Sequence, residues 1–262
     1  MRPRAAVFCF HDVVPAAELP AVPVEHRPYA LTPEEFRAYL SAARTVQART
    51  VVASEVPAER AGGFFTLTFD DGRASDYTEV FPVLRELALR ATFFVVPTFV
   101  ATEGHVTWTQ LREMAEAGME IGSHSLTHPF LQGLDRAGLR HEFGESKAML
   151  EDRLGAPVRA ASLPQGWEPP EFESVMDELG YRVFCTSRVA WWHPGDRPLA
   201  MPRVGVRRGM TPAGFAAIAG ARRRALWHVQ AIDAAKNGVK RCVGTEGWQR
   251  LRRPLLALRA RR

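Results

Sequence analysis

The sequence predicts an α/β fold built on one mostly parallel sheet. Short β-rich runs alternate with helical patterns, and the helical runs open on capping signatures and end on glycine. The chain of 262 residues, 46% hydrophobic and 24% charged, can bury one substantial core, and single α/β barrels occur at this size.

The strand-like runs are Ala6 to Phe10, Phe64 to Phe69, Ala91 to Val96, Met119 to Gly122, Val158 to Leu163, Val183 to Thr186 and Arg203 to Val206. Thr32-Pro33-Glu34-Glu35 is a capping box with proline at the first helical position, so a helix runs on through Phe36 and Leu40. Thr107-Trp108-Thr109-Gln110 repeats the Thr-x-x-Gln form and opens a helix through Leu111, Met114 and Ala115, which Gly118 ends. Leu139, Phe143, Met149, Leu150 and Leu154 mark a long surface helix between Leu134 and Leu154, stopped by Gly155 and Pro157. Two stretches interrupt the alternation. Residues 13 to 30 carry Pro15, Pro20, Pro23 and Pro28 and read as a long loop over one face, and Trp191 to Pro202 is a second irregular stretch.

Charge divides the chain. Residues 220 to 262 hold 12 Lys/Arg against two acids, leaving 22 against 27 in the rest. The expected organisation is one catalytic barrel over residues 1–219 and a basic helical C-terminal tail over residues 220–262. In the tail, Leu251, Leu255 and Leu258 interleave with Arg252, Arg253 and Arg259, a pattern suited to an anionic membrane surface and equally to a solvated terminus. The body shows no nucleic-acid-binding motif, so nucleic acid is not an expected partner. Cys9, Cys185 and Cys242 lack C-x-x-C spacing and read as buried reduced thiols. The apolar run from Ala5 to Phe10 is too short for a signal peptide and no run is long enough to span a membrane, so the expected location is cytoplasmic, at most peripheral at the inner membrane face.

The chemistry concentrates in two segments. Thr68-Phe69-Asp70-Asp71-Gly72 sets two adjacent carboxylates at the C-terminal end of a strand, where α/β folds place active sites, although Asp-Asp-Gly alone is also ordinary turn chemistry. Gly122-Ser123-His124-Ser125-Leu126-Thr127-His128-Pro129 carries two histidines four apart. On an extended strand they would sit about 13 Å apart, too far to share one ion, so the spacing suits a metal only if the chain coils there. One carboxylate with two imidazoles leaves coordination positions open, as a catalytic site requires.

These segments resemble the first two motifs of the polysaccharide deacetylase family, also called NodB-homology or carbohydrate esterase family 4. The similarity extends through Ala91-Thr92-Phe93-Phe94-Val95, Gly118-Met119-Glu120-Ile121-Gly122, Ser146 to Gly155 and Gly180-Tyr181. It implies a distorted (β/α)7 barrel, Asp70 as general base, and a divalent ion, commonly zinc, on Asp71, His124 and His128. The implied reaction is removal of N-acetyl groups from an amino-sugar polysaccharide or lipid-linked glycan precursor. An O-acetyl ester, a cyclic imide, another small amide, or glycan binding without turnover remain as alternatives. The implied setting is the exopolysaccharide or cell-envelope pathways, with assembly machinery as a partner for the tail. The third family motif, normally Arg and an aromatic around Pro-Pro-Tyr, is altered to Ser162-Leu163-Pro164-Gln165-Gly166-Trp167, in which Pro164, Gln165, Gly166 and Trp167 are expected to meet substrate and Gln165 to offer its backbone N–H. With the motif arginine missing, Arg203 is either the substitute partner of Asp70 or a barrel-rim salt-bridge residue. No late Leu-x-His motif is present, but Phe10-His11-Asp12 resembles the Tyr-His-x segment of permuted exopolysaccharide-type members, which makes His11 the expected general acid. Trp167, Trp191 and Trp192 are either a stacking floor for a sugar ring or packing under the loop.

Overall fold

The computed structural model describes residues 4–47, 49–60, 62–166, 168–235 and 238. In chain order its strands are β1 (Val7–Phe10), β2 (Asp12–Val13), β3 (Ala30–Leu31), β4 (Arg49–Thr50), β5 (Phe64–Phe69), β6 (Thr92–Val95), β7 (Glu120–Ser123), β8 (Ala160–Ser162), β9 (Val183–Cys185) and β10 (Val204–Gly205). The helices are α1 (Pro33–Arg44), α2 (Phe81–Glu86), α3 (Trp108–Glu116), α4 (Arg136–Leu154), α5 (Phe172–Glu178) and α6 (Pro212–Ala219).

All pairings in the main sheet are parallel, in the order β10-β1-β5-β6-β7-β8-β9, with β4 added along β5. Backbone bonds close it. The Met201 N–H donates to Phe184 O at 2.9 Å and the Thr186 N–H to Met201 O at 2.8 Å, while three residues on Val204 pairs with Phe8 of β1. The segment leading into β10 therefore touches both edges, and the result is the distorted (β/α)7 barrel.

The central strands β1, β5 and β6 are buried on both faces, as a sheet wrapped by helices must be. Alternate residues serve two cores. Phe65, Leu67 and Phe69 of β5 join Phe8, Phe10, Phe36 and Phe93 under the helices, whereas Phe64, Val7, Phe94, Ala160 and Cys185 fill the barrel interior. Phe215 of α6 stacks on both Phe8 and Tyr39, which locks α1 and α6 together against β1. Gly122 is demanded by this packing, since a Cβ there would lie 2.6 Å from Phe94 Cδ1 and 2.8 Å from Ala160 O.

The capping expectations are met atom by atom. Thr32 Oγ1 accepts from Glu35 N and Glu35 Oε2 from Thr32 N, and Thr107 and Gln110 repeat the pair at α3. Helix α4 ends at Gly155 in the left-handed region, φ 65°. Two expectations need correction. Met149 is exposed, because the α4 face carries buried Glu142 and Ser146 in its place. Residues 13 to 30 are not a bare loop. Three-residue 3-10 turns occupy Leu19–Ala21 and Arg27–Tyr29, and β2 pairs with β3 through Asp12↔Ala30 and Val13↔Leu31. Proline occupies the middle position of both turns, Pro20 and Pro28, and a parallel ladder can form from residues too few to leave a periodic signal. Beyond residue 219, Leu226 is fully buried against the main core. Leu251, Leu255, Leu258 and the arginines between them, and Cys242, lie outside the described residues. Among the described residues no helix is long and apolar enough to cross a membrane.

Candidate active site

The alternation of the strands builds the site. In β5 the inward series Phe64, Thr66, Thr68 continues to Asp70, one residue past the strand. The same period of two brings His11 inward after Cys9, His124 after Gly122 and Ser162 after Ala160. All four lie at the C-terminal ends of parallel strands, the mouth of the barrel, where such folds gather their chemistry.

Asp70 is 3% exposed and bound on both oxygens by Arg203, Nη1 to Oδ1 at 2.7 Å and Nη2 to Oδ2 at 2.8 Å. Arg203 is itself buried, and its remaining donors reach Thr186 O and Thr68 Oγ1. Of the two positions open for Arg203 in the sequence, the structure thus places it on Asp70, supplying the guanidinium missing from the third motif. Burial alone would raise the Asp70 pKa, but the charge of Arg203, then that of His124, holds it well below the usual carboxylate range. Asp70 is therefore ionised at every working pH.

Asp71, His124 and His128 present one donor atom each, all within 4.8 Å of one another. Asp71 Oδ1 stands 3.5 Å from His124 Nε2 and 3.6 Å from His128 Nε2. Asp71 takes φ 81°, which turns its carboxylate away from the direction of Asp70 and toward the histidines. His124 Nδ1 meets Ser162 Oγ at 2.6 Å, and Ser162 Oγ donates to Asp70 Oδ1 at 3.4 Å. That chain is satisfied when Nδ1 carries the proton, leaving the Nε2 lone pair facing Asp71. Burial, first, pushes the His124 pKa down to about 4, so the ring is neutral and able to ligate at neutral pH. An oxygen and two imidazole nitrogens with an anchored outer shell fit a divalent ion.

The chain does coil between the histidines, though not as a helical turn. Ser125 and His128 both adopt left-handed backbone, φ 63° and 58°, and bring the two rings to 5.0 Å between centroids. Glu142 of α4 holds this loop: its buried carboxylate accepts from Leu126 N at 3.0 Å, Thr127 N at 2.9 Å and Thr127 Oγ1 at 2.8 Å. Neither Glu142 nor the role of Ser162 emerged from the sequence. Glu142 lies fourteen or more residues from either histidine, and only its place on the inner face of an otherwise apolar helical pattern marked it as unusual.

His11 follows β1, the neighbour of β5 in the sheet. Its ligand atom lies within 4.8 Å of those of Cys9 and Asp70, its Nδ1 is buried, and its ring lies 5.1 Å from Tyr29. The trio Cys9, His11 and Asp70 makes a poor second metal site. Burial pushes the Cys9 thiol well up, and Arg203 already occupies Asp70. Beneath Asp71 lies Asp76, buried in a π-helical turn over Asp76–Val80, its pKa pushed well above the usual range by burial and then by Asp12 and Asp71.

Pro164, Gln165 and Gly166 follow β8 directly, so they stand at the mouth beside Ser162; Pro164 is buried, Gln165 exposed at φ 58°. Trp167 lies outside the described residues. Trp192 is no sugar floor: it pairs with Ala5, before the start of β1, and packs into the interior core at the far end of the barrel. Trp191 is part-buried under Arg4. An indole at either place is held by apolar neighbours that the sequence leaves unspecified.

Residues 59–184 match the family described as polysaccharide deacetylase. That stretch of the chain belongs to the family. A chitooligosaccharide deacetylase from Bradyrhizobium is 38% identical over 139 residues, 53% of this chain and 59% of the relative. The solved structure of IcaB from Ammonifex degensii superposes with a TM-score of 0.72 at 27% identity, covering 83% of this chain and 97% of that one. The Streptococcus pyogenes deacetylase PplD, solved in complex with acetate, has the same fold, with a TM-score of 0.72 at 21% identity over 81% of this chain and 96% of that one. The chain spans about half the length of the curated relatives it matches.

Proposed function

We propose that this chain is a metal-dependent amidohydrolase that removes N-acetyl groups from an amino-sugar glycan or its lipid-linked precursor. The observation that carries this reading is the Asp71, His124, His128 triad standing beside an Asp70 held ionised by Arg203. A family relative is named as a chitooligosaccharide deacetylase, and another, from Listeria monocytogenes, as a peptidoglycan-N-acetylglucosamine deacetylase, so N-acetylglucosamine polymers are the first substrates to try.

A divalent ion on the triad, zinc in this proposal, would polarise the amide carbonyl and acidify a water. The chain's own residues do the rest. Asp70, an acceptor only, takes the proton of the attacking water, and Arg203 and Ser162 hold its carboxylate in place. The backbone N–H of Gln165, in the turn of Pro164, Gln165 and Gly166, is assigned to the developing oxyanion. His11, beside Asp70 at the mouth, delivers a proton to the departing amine. Acetate and the free amino sugar leave.

Acetate release from chitooligosaccharides by metal-loaded protein is the test. Asp70→Asn and His124→Ala are each expected to lower the rate by at least about 100-fold, the scale of a lost base or ligand, and His11→Ala by a comparable factor. Acetate release from the unmutated chain that survives both Asp70→Asn and His124→Ala would overturn the assignment. Release from O-acetylated sugars or small amides in preference to chitooligosaccharides would keep the site and change the substrate.

A further inference from the structure

One wall of the mouth carries a group that the hydrolysis does not use. Tyr29 ends the turn Arg27–Tyr29 and precedes β3, and the Asp12↔Ala30 pairing places it next to His11, with 5.1 Å between the rings. On its other side the Arg207 guanidinium lies over the Tyr29 ring, 5.0 Å from the centroid, and Arg207 Nη2 donates to Tyr29 Oη at 3.1 Å. The Arg208 N–H donates to Pro28 O at 2.9 Å, so backbone bonds fix both halves of the stack. The neighbouring Arg208 is matched by Glu35 at 3.6 Å, whereas among the described residues no carboxylate forms an ion pair with Arg207. Asp12 and Asp71 act on the buried Asp76, and Asp12 itself pairs with Ala30, the residue next to Tyr29.

A guanidinium has five donors in a rigid fork suited to carboxylate and phosphate oxygens. Stacked on an aromatic ring and tied by one donor, Arg207 has already lost most of the freedom that binding an anion would cost. We propose that Tyr29 and Arg207 form a subsite for an anionic substituent of the acetylated sugar, a carboxylate or a phosphate, on the His11 side of the mouth. This rests on the hydrolase reading for the identity of the sugar, but not for the anion preference itself. The substrate then spans the mouth, its acetamide toward the triad and its anionic group toward Arg207.

Calorimetric titration of the metal-loaded full chain with N-acetylglucosamine, N-acetylglucosamine 1-phosphate and N-acetylmuramic acid tests the subsite. At least one anionic sugar is expected to bind about tenfold more tightly than the neutral one, as a hydrogen bond to a charged group provides. Whichever of the two gains more identifies the anion as phosphate or carboxylate. A bound ion at the triad attracts the same anions, so the decisive result is loss of the advantage in Arg207→Gln. Arg207→Lys should retain part of it and Tyr29→Phe should reduce it, with neutral-sugar affinity unchanged in all three. Equal affinity of the unmutated chain for charged and neutral sugars overturns the proposal, as does an advantage that survives Arg207→Gln. So does an Arg207→Gln variant that weakens both alike, which would make the stack a structural brace. An Arg207-dependent preference in a chain that releases no acetate from any sugar would instead leave the subsite standing and sink the hydrolase reading.

Discussion

The two ends of the barrel treat a carboxylate in opposite ways, Asp70 buried at the mouth and Glu120 half-buried at the closed end. At the mouth Asp70 is clamped by Arg203, and the guanidinium's charge pulls its pKa far down against the burial that would raise it. At the closed end Glu120 is held only by neutral donors, Ser54 N at 3.2 Å and Thr92 Oγ1 at 2.8 Å, and burial wins, pushing its pKa up. Hydrogen bonds from neutral donors therefore satisfy this carboxyl without offsetting the upward push of its surroundings. A buried cation is what commits the site at the mouth to an anion, and the far end, filled by Phe64 and Trp192, has no use for one.

The same carboxyl-to-amide exchange at both ends puts the contrast to the test. Asp70→Asn leaves Arg203 buried without its counter-charge and should cost about 3 to 5 kcal/mol, whereas Glu120→Gln keeps its acceptor oxygen and should change stability by less than about 1 kcal/mol. Urea unfolding at pH 7 measures both, and equal costs would show that the charge at the mouth matters no more than the hydrogen bonds at the base.

Acid sharpens the comparison at the mouth. His124 titrates near 6.5 in the unfolded chain and at about 4 when folded, burial being the main cause. The unfolded chain takes the proton first, so this stability is complete above about pH 6.5 and is lost as pH falls toward about 4, on the order of 3 kcal/mol in all. The Asp70 contribution, with its folded pKa depressed, is present above the ordinary carboxylate pKa and disappears only at still lower pH. Unfolding of the metal-free chain between pH 7 and pH 4.5 should show the slope, and His124→Gln should flatten it. An unchanged slope in that variant assigns the acid sensitivity elsewhere.

A smaller effect than either loss at the mouth is expected in the loop between the histidines. Glu142→Gln keeps an acceptor but loses the charge and one of its acceptor oxygens, and should weaken divalent-ion affinity by about 10- to 100-fold, as removal of an outer-shell partner does. Competition with a chromogenic chelator reads this directly. A variant with lowered melting temperature but unchanged ion affinity would reduce Glu142 to a packing role.

How much was legible follows the range of the interactions. The strands over residues 64–69, 92–95 and 120–123 and the capped helices α1 and α3 rest on neighbours within four residues, and their signals are local. Thr211-Pro212 at α6 is the same opening as Thr32-Pro33 at α1. Asp70, Asp71, His124 and His128 could be singled out because each pair lies within one short motif. Glu142, Ser162 and Tyr29 could not, because what each one does depends on a partner brought in from another element. The π-helical turn that buries Asp76 likewise answers to its surroundings rather than to its own residues.

By itself the sequence determined the alternation, and with it the barrel and the inward direction of Asp70, His11 and His124, because a period of two leaves each side chain only two faces to choose between. It also determined the family, through motifs that each lie within a few residues. Only the tertiary structure decided that Arg203, 133 residues away, lies on Asp70, that Trp192 plugs the base, and that Arg207 reaches Tyr29 beside His11. Closing the barrel brings its first and last strands together, and no local pattern records which side chains then meet.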